Sequence, residues 1–475
     1  MLKSWEKTLL AKKGSPAILN SRGQVLRTFR QIEELANSFQ TKLKKFNPGS
    51  VIAVQIGNHE DWASIFIACL RSKLVVLPLD QSISKRQQDA ALRLCRVSGI
   101  VAARSRANES DQPKDPSVRW PAGAIEVLPI SPPPNMPNWD DKQPALLKLT
   151  SGTTAAPRAI RFRSGQLLAD GDQICQTMGI SNADINFGVI PLSHSYGFSN
   201  LLTPLISRGV VMVLSRDRTP RAVLDDIAQT NATVFPGMPV FYQAFCEMND
   251  LPMLPKLRLC ISAGAPLAVL VATRFRQRFK LAIHSFYGAS ECGGICYDRN
   301  GTTDVEGFVG TPLEKVGVEI LDRSAESSQV GVRSVAAGDG YFPEPDEKKL
   351  GNGAFIPDDL LVCNPSGFQI VGRISDVINV AGKKVNPTEV EAELLRFPGI
   401  RQAVAFGRES ELRSEEVAVC VVAEAGVRES DLLAFCRTTL NASQVPKRIF
   451  IVDAIPANER GKINRQALAK RFSNK

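Results

Sequence analysis

Apolar residues recur every three or four positions after Thr28, at Ile32, Leu35, Ala36, Phe39 and Leu43. That spacing marks one buried face of a helix. Thr28-Phe-Arg-Gln31 stands ahead of them as a capping box, Thr-x-x-Gln, which satisfies amide donors at a helix start. Val51-Ile-Ala-Val-Gln-Ile56 is then a continuous apolar run of strand length, followed by a helical pattern over 62–71 and a second strand pattern over 74–77. Strand, helix and strand in close succession predict parallel α/β units. Residues 105–144 are rich in Pro, Asp and Ser and include Pro132-Pro-Pro134, which predicts a surface connector without a sheet. Strand–helix patterns resume from Ala145 to about Ile295. After Val316 the chain reads as β-rich with frequent Gly, through Ile370. A smaller α/β unit begins near Ser375, with helices over 387–396 and 429–438 and a strand over 417–423. No internal repeat is evident.

The composition agrees with these patterns. The chain has 475 residues, 44% hydrophobic and 22% charged, the balance of a globular protein of several domains. Disorder, collagen and coiled coil are excluded. Apolar runs such as 65–70 and 210–214 fall far short of the ~18–20 residues that cross a bilayer. The net charge is +10. From Ile374 onward 16 Lys and Arg face 13 Asp and Glu, so most of the excess lies upstream and no long basic block appears. A diffuse field of this kind suits anionic small molecules better than nucleic acid. Ten cysteines sit at irregular spacings with only three histidines. Cys292-Gly-Gly-Ile-Cys296 lacks the second pair a zinc site would want, so buried free thiols in a reducing cytoplasm are expected. Met1-Leu-Lys-Ser-Trp-Glu6 carries no apolar export signal.

The strongest local feature is Leu149-Thr-Ser-Gly-Thr-Thr-Ala-Ala-Pro-Arg158, a Ser/Thr/Gly loop behind an apolar strand. Hydroxyls, backbone N–H groups and an Arg suit a polyphosphate. The segment is not a Walker A loop, since Gly-x4-Gly-Lys-Ser/Thr does not occur. Alone, such a loop is more often a solvated turn.

In its context it resembles the phosphate loop of the adenylate-forming superfamily, which includes acyl-CoA synthetases, aryl-CoA ligases, luciferases and peptide-synthetase adenylation domains. Further segments follow in that family's order. They are Pro191-Leu-Ser-His194, Ser262-Ala-Gly-Ala-Pro-Leu267, Tyr287-Gly-Ala-Ser-Glu291, the run from Gly372-Arg-Ile-Ser-Asp376 to Glu389, Val445-Pro-Lys447, and Pro456-Ala-Asn-Glu-Arg-Gly-Lys462. The resemblance implies an α/β protein: a large N-terminal adenylation domain over 1–374, with parallel α/β sheets and a β-rich subdomain, and a small mobile α+β C-terminal lid over 375–475. It implies activation of a carboxylic acid by ATP to acyl-AMP with release of pyrophosphate, then transfer to a thiol. Such chemistry asks for charge neutralisation and positioning more than covalent help.

By the same resemblance, Thr150, Ser151, Gly152, Thr153 and Thr154 would cradle the β- and γ-phosphates with Arg158 nearby. Ser290 would touch the α-phosphate and Glu291 would hold Mg2+, a hard cation that prefers oxygen. Gly264, Ala265, Pro266, Tyr287 and Gly288 would border the adenine. Asp359 and Arg373 would hold the ribose, and Lys462 would bridge the substrate carboxylate and the α-phosphate. His194, Tyr196, Phe198, Phe235, Met238 and Ala263 would line the acyl pocket.

Several positions depart from the family pattern. Ala155 replaces Gly, Arg158 replaces Lys, Ser290 replaces Thr, and the ribose turn becomes Pro357-Asp-Asp359. Ser375 occupies the usual hinge position with Asp376 next to it. These departures keep a degenerate, non-catalytic nucleotide- or acyl-binding protein among the alternatives. The run Ser195-Tyr-Gly-Phe-Ser-Asn200 lacks the carboxylate with which amino-acid-activating relatives bind an ammonium. An unpaired ammonium in an apolar pocket would be costly, so an acyl or aryl acid is expected. The chain stops thirteen residues after Lys462, which predicts that the thiol comes from CoA or, alternatively, from the phosphopantetheine of a separate acyl carrier protein.

Overall fold

The structure is a computed structural model of the chain. It describes all residues except 104–124, 132–133, 140, 151–157, 216, 303, 325–326, 381–382, 411–413, 457–462 and 473–475, and omits the side chains of 375, 384, 410 and 414. The chain forms two compact units, one of residues 1–318 with 331–356 and the other of residues 319–330 with 357–475.

The larger unit, here the body, contains two sheets. A seven-stranded sheet runs Tyr341–Phe342, Ala159–Phe162, Leu146–Leu149, Val75–Pro78, Val51–Gln55, Val97–Ala103, Ile125–Pro129. The four strands from Leu146–Leu149 to Val97–Ala103 pair in parallel and the outer ones antiparallel. Val51, Ala53, Val75, Leu77 and Leu147 pack one continuous core. The second sheet is parallel from Pro16–Asn20 through Val211–Leu214, Ile185–Gly188, Val234–Gly237 and Leu259–Ser262 to Ile283–Ala289. Gly293–Tyr297 and Phe308–Pro312 continue it antiparallel.

The helix Phe29–Leu43 forms behind its capping box. Thr28 Oγ1 accepts from the Gln31 amide at 3.2 Å, and the Gln31 side chain accepts from the Thr28 amide at 2.8 Å. Ile32, Ala36, Phe39 and Leu43 are buried, as their spacing predicts. The helix Trp62–Arg71 and the strand Val51–Gln55 also form. The stretch expected to be a connector without a sheet is only partly that. Ile125–Pro129 is an edge strand paired with Val97–Ala103. Only one side of it must donate, which is where a strand tolerates proline. Trp139, in the same stretch, is buried and donates its indole N–H to the Gly49 carbonyl at 2.8 Å. After Val316 the body adds short antiparallel pairs, with Val332 and Leu350 both opposite Phe355.

The smaller unit is built on the antiparallel pair Ile400–Ser410 and Ser414–Ala423. Alternation along the second strand divides the packing, because successive side chains point to opposite faces. Val417, Val419 and Val421 pack with Val390, Leu394, Leu432 and Cys436 of the helices Pro387–Leu394 and Glu429–Thr439. Ala418 and Cys420 pack with Leu468 and Phe472 of the helix Arg465–Phe472. The unit also holds the hairpin Asp359–Asn364 with Gly367–Arg373.

Candidate active site

Four strands of the second sheet present their carboxyl ends side by side, and the motif residues follow those ends. Gly237 pairs with Ser262 and Ser262 with Ser285, so Met238, Ala263 and Tyr287 lie just past adjacent positions. His194 follows the strand Ile185–Gly188. In open α/β sheets, ligands bind in the crevice beyond the carboxyl ends of the strands.

His194 caps the turn Ser195–Gly197, with its amide 3.0 Å from the Pro191 carbonyl. A Cβ on Gly197 would collide with that same carbonyl, so the tight reversal requires glycine there. The Tyr196 hydroxyl lies 3.4 Å from both the Gly237 and Ile261 carbonyls, at the strand ends. Burial pushes its phenol well above the ordinary range. Met238 is half-buried and Ala263 buried. Phe198 packs edge-on against Trp62 and Phe66. Phe235 lies in an aromatic cluster with Phe187, Phe241, Tyr242 and Phe245. Both rings are about 1% exposed, within the core.

The Ser/Thr/Gly segment is held at its neck. Thr150 follows the strand Leu146–Leu149, and the antiparallel strand Ala159–Phe162 returns beside it. The Thr150 amide donates to the Arg158 carbonyl at 2.9 Å, and the Thr150 hydroxyl donates to that carbonyl at 3.2 Å. Ser151, Gly152, Thr153 and Thr154 lie outside the described residues. The Arg158 guanidinium sits 5.3 Å over the Tyr341 ring, with Nη1 3.7 Å from Asp346. The Tyr341 hydroxyl donates to Glu291 Oε1 at 3.3 Å. Burial first, and then the Glu291 charge, raise the Tyr341 phenol far above its usual range. Ser195 Oγ and Ser290 Oγ are 3.1 Å apart. Arg158, Tyr341 and Glu291 thus form one chain, and the Ser195–Ser290 bond begins beside it. Magnesium usually takes one or two carboxylates plus substrate phosphates, not an all-protein cage. A carboxylate oriented as Glu291 is by Tyr341 is of the right chemistry for that role.

Gly264 has φ +88 and is exposed, with Pro266 exposed and Ala265 half-exposed beside it. Tyr287 is buried opposite Cys296, and Gly288 is exposed on the same strand. In the smaller unit, Asp359 is 6% exposed and faces Arg373 across the hairpin. Arg373 Nε donates to Asp359 Oδ1 at 2.6 Å. Asp376 accepts from Arg465 Nη1 at 2.7 Å. Lys462 and Gly382 lie outside the described residues.

Sequence reasoning missed four residues here. Tyr341 is fifty residues from Glu291 in the chain. Asp80 has its carboxyl pushed up by burial but brought below the ordinary value overall, by hydrogen bonds from Ser82 and then by the charges of His194 and Arg218. Lys148 is buried on the strand leading to Thr150, and Asp170 is buried on the helix Ser164–Met178. Capping and periodicity carry no signal for such contacts. All ten cysteines are free, Cys363 alone being exposed. Among the described residues no group of three His, Cys, Asp or Glu is arranged to hold a metal ion, and no helix is long and apolar enough to cross a membrane.

The chain belongs to the family of AMP-binding enzymes, AMP-forming acid–thiol ligases: residues 5–336 match the AMP-binding enzyme family and residues 389–462 match the AMP-binding enzyme C-terminal domain. It is similar to a probable CoA ligase, CCL9, of Humulus lupulus, 28% identical over 458 residues that cover 89% of this chain and 87% of that protein. It is also similar to an oxalate–CoA ligase of Arabidopsis thaliana, 28% identical over 460 residues, covering 90% and 89%. Its fold matches that of ATP-bound MatB from Rhodopseudomonas palustris, with a TM-score of 0.83, 21% identity and 99% of each chain covered.

Proposed function

We propose that this enzyme activates an acyl or aryl carboxylic acid with ATP and delivers the acyl group to the thiol of CoA. The observation that carries the reading is the chain Arg158–Tyr341–Glu291, beside the pinned neck at Thr150 and the Ser195–Ser290 bond. A cation, an oriented carboxylate and hydroxyls are the groups that a magnesium-bound polyphosphate would call on.

In the first half-reaction a carboxylate oxygen attacks the α-phosphorus and the bond to the β-phosphate oxygen breaks. The products are acyl-AMP and pyrophosphate. Thr150 and the loop after it would hold the β- and γ-phosphates, with Arg158 supplying positive charge. Ser290 would donate to the α-phosphate, and Lys462 would hold both reacting oxygens as charge moves between them. Magnesium bound at Glu291 would offset the charge of the phosphates. Tyr287 with Gly264, Ala265 and Pro266 would flank the adenine, while Asp359, kept in place by Arg373, would accept from the ribose hydroxyls. In the second half-reaction the thiol sulfur attacks the acyl carbon, its proton passes to solvent, and AMP leaves.

His194, Tyr196, Met238 and Ala263 border the space where the acid would sit. Phe198 and Phe235, packed in the core, would back that space and not touch the acid directly. Ser195 is engaged with Ser290 and offers no charge for an ammonium, which supports an acyl or aryl acid over an amino acid. Residues 375–475 would move as a lid between the half-reactions, as loop and domain closures do in many enzymes. Because Arg465 holds Asp376 inside the smaller unit, the pivot is Ser375. Nine buried free thiols suit a reducing, cytoplasmic compartment.

The test is ATP–pyrophosphate exchange over a panel of carboxylic acids, with and without EDTA, followed by AMP release with CoA. Exchange that depends on acid and metal, with thioester formed on CoA, is the expected result. Absence of exchange across aryl and acyl acids of graded length would overturn adenylation. Thioester formed only on a carrier protein would move the acceptor from CoA to that protein.

A further inference from the structure

The turn that leads into His194 is held from the other sheet, by a residue that none of these roles uses. Asn58 follows the strand Val51–Gln55 of the seven-stranded sheet and is half-buried. Its side chain reaches the segment that leaves the carboxyl end of Ile185–Gly188 in the second sheet. Asn58 Nδ2 donates to the Ile190 carbonyl at 3.1 Å and, at a longer 3.4 Å, to the Gly188 carbonyl. Asn58 Oδ1 accepts from the Leu192 amide at 2.9 Å. Ile190 and Leu192 are buried, where backbone groups need partners. The Ile190 carbonyl and the Leu192 amide belong to the two peptide groups of Pro191, so one carboxamide fixes both. The same Pro191–Leu192 peptide accepts the His194 amide on its carbonyl at 3.0 Å. That carbonyl is also the one that leaves Gly197 no room for a Cβ. Asn58 is itself anchored on either side. The Trp62 indole donates to the Gly57 carbonyl at 2.8 Å, and Asp61 accepts from Arg27 Nε at 2.9 Å.

We propose that Asn58 is a positioning residue for the acid site: by clamping both peptide groups of Pro191 it sets where His194 stands. The task needs a donor and an acceptor on one short side chain, and a carboxamide carries both. An anchor on the first sheet that holds a turn on the second keeps the site's geometry from following small movements of either, and displacements of about 1 Å are enough to cost activity. The inference rests on the reading that His194 borders the carboxylic acid. The three bonds of Asn58 fall at residues 188, 190 and 192. The link from this segment toward the α-phosphate side lies further on, from Ser195 Oγ to Ser290 Oγ at 3.1 Å. Loss of the clamp is therefore felt more by the acid than by ATP.

Steady-state ATP–pyrophosphate exchange tests this, with benzoate, cinnamate and straight-chain acids from acetate to decanoate, on whichever acid wild type uses fastest. Asn58→Ala removes all three bonds. Asn58→Asp keeps the shape and the acceptor for the Leu192 amide but turns an oxygen toward the Ile190 and Gly188 carbonyls, and it carries the test should the alanine variant fail to fold. Each is expected to raise the KM for the acid by about tenfold or more and the KM for ATP by less than about threefold. Trp139→Phe is the control. It deletes a hydrogen bond to the Gly49 carbonyl, at the opposite end of Val51–Gln55, and should lower the melting temperature while the acid KM stays within about threefold of wild type. An acid KM within about threefold of wild type in a folded Asn58 variant, or acid and ATP KM values that rise together, would overturn the proposal. So would an acid KM raised as far in Trp139→Phe, since loosening of this layer would then suffice. Wild type that exchanges with none of these acids would overturn the reading of the site and the inference with it, an outcome distinct from an unchanged acid KM in the variants.

Discussion

In the smaller unit, Arg465 spends its guanidinium on direct bonds: Asp376 at 2.7 Å, Glu391 at 2.7 Å and the Ala405 carbonyl at 3.0 Å. In the body, the Lys148 ammonium is buried over an aromatic ring, and burial lowers its pKa while Asp170 first, and further down Glu291, oppose that shift. The first arrangement is closed, one guanidinium bonded directly to two carboxylates and a carbonyl, and its loss is felt in stability. The second is spread over several segments, and one of its carboxylates is a candidate ligand for an incoming cation. A fixed network keeps the parts of a unit in one arrangement, while a distributed one leaves its charges responsive to what lies around them.

The largest expected effect separates chemistry from scaffold within the smaller unit. Lys462→Ala should slow ATP–pyrophosphate exchange by about a thousandfold, the size seen when a transition-state donor is removed, with little change in melting temperature. Unaltered exchange would detach the smaller unit from the first half-reaction. Next, Arg465→Met should destabilise the protein by about 3 kcal/mol, because it strands the largely enclosed Glu391 carboxylate, as read by chemical denaturation. Burial raises the Glu391 pKa, and Arg465 opposes this. A raised carboxyl pKa means the folded state holds the proton more tightly. Stability then falls as pH rises from the unfolded glutamate value through the folded one. Removing Arg465 widens that window, so the deficit should be larger at pH 8 than at pH 5. An equal deficit at both would show that packing, and not charge, is lost.

Asp359→Ala should raise the KM for ATP by about tenfold, through loss of charged hydrogen bonds to the ribose, and leave Mg2+ dependence alone. A shift in Mg2+ dependence instead would move Asp359 to the phosphate side. The smallest effect is in the body, at Asp226, whose pKa burial pushes up to about 6. Its contribution to stability falls as pH climbs from the unfolded value toward 6. Asp226→Asn should therefore gain stability at pH 8 and none at pH 4. The group is half-exposed, so screening holds the gain to under about 1 kcal/mol. Thermal melts at the two pH values decide it.

Where a few neighbouring residues dictate structure, the sequence was readable. The capping box at Thr28 and the apolar face after it form the helix Phe29–Leu43, and Val417, Val419 and Val421 of Ser414–Ala423 fall on one packed face. The same capping box at Ser84-Lys-Arg-Gln87 starts the helix Lys85–Leu94, yet went unread because Ala91 is the only buried residue of that helix and its apolar periodicity is thin. Motif order located Thr150, Glu291 and His194 in the body. It gave no access to Tyr341, Lys148 or Asp170, whose roles depend on contacts between distant segments. A lysine in Leu-Leu-Lys-Leu reads as the wet side of an alternating strand, and here that side faces a second layer of the body.

The bonds between Thr150 and Arg158 carry one more consequence. They close Thr150 and Arg158 onto a frame whose register, Leu149 against Ala159, is set by the sheet. The cost of bringing two points of a chain together is thus met in advance by the sheet. How Thr150 and Arg158 face one another is therefore inherited from the strands behind them, and a change in that register would be read at this neck first.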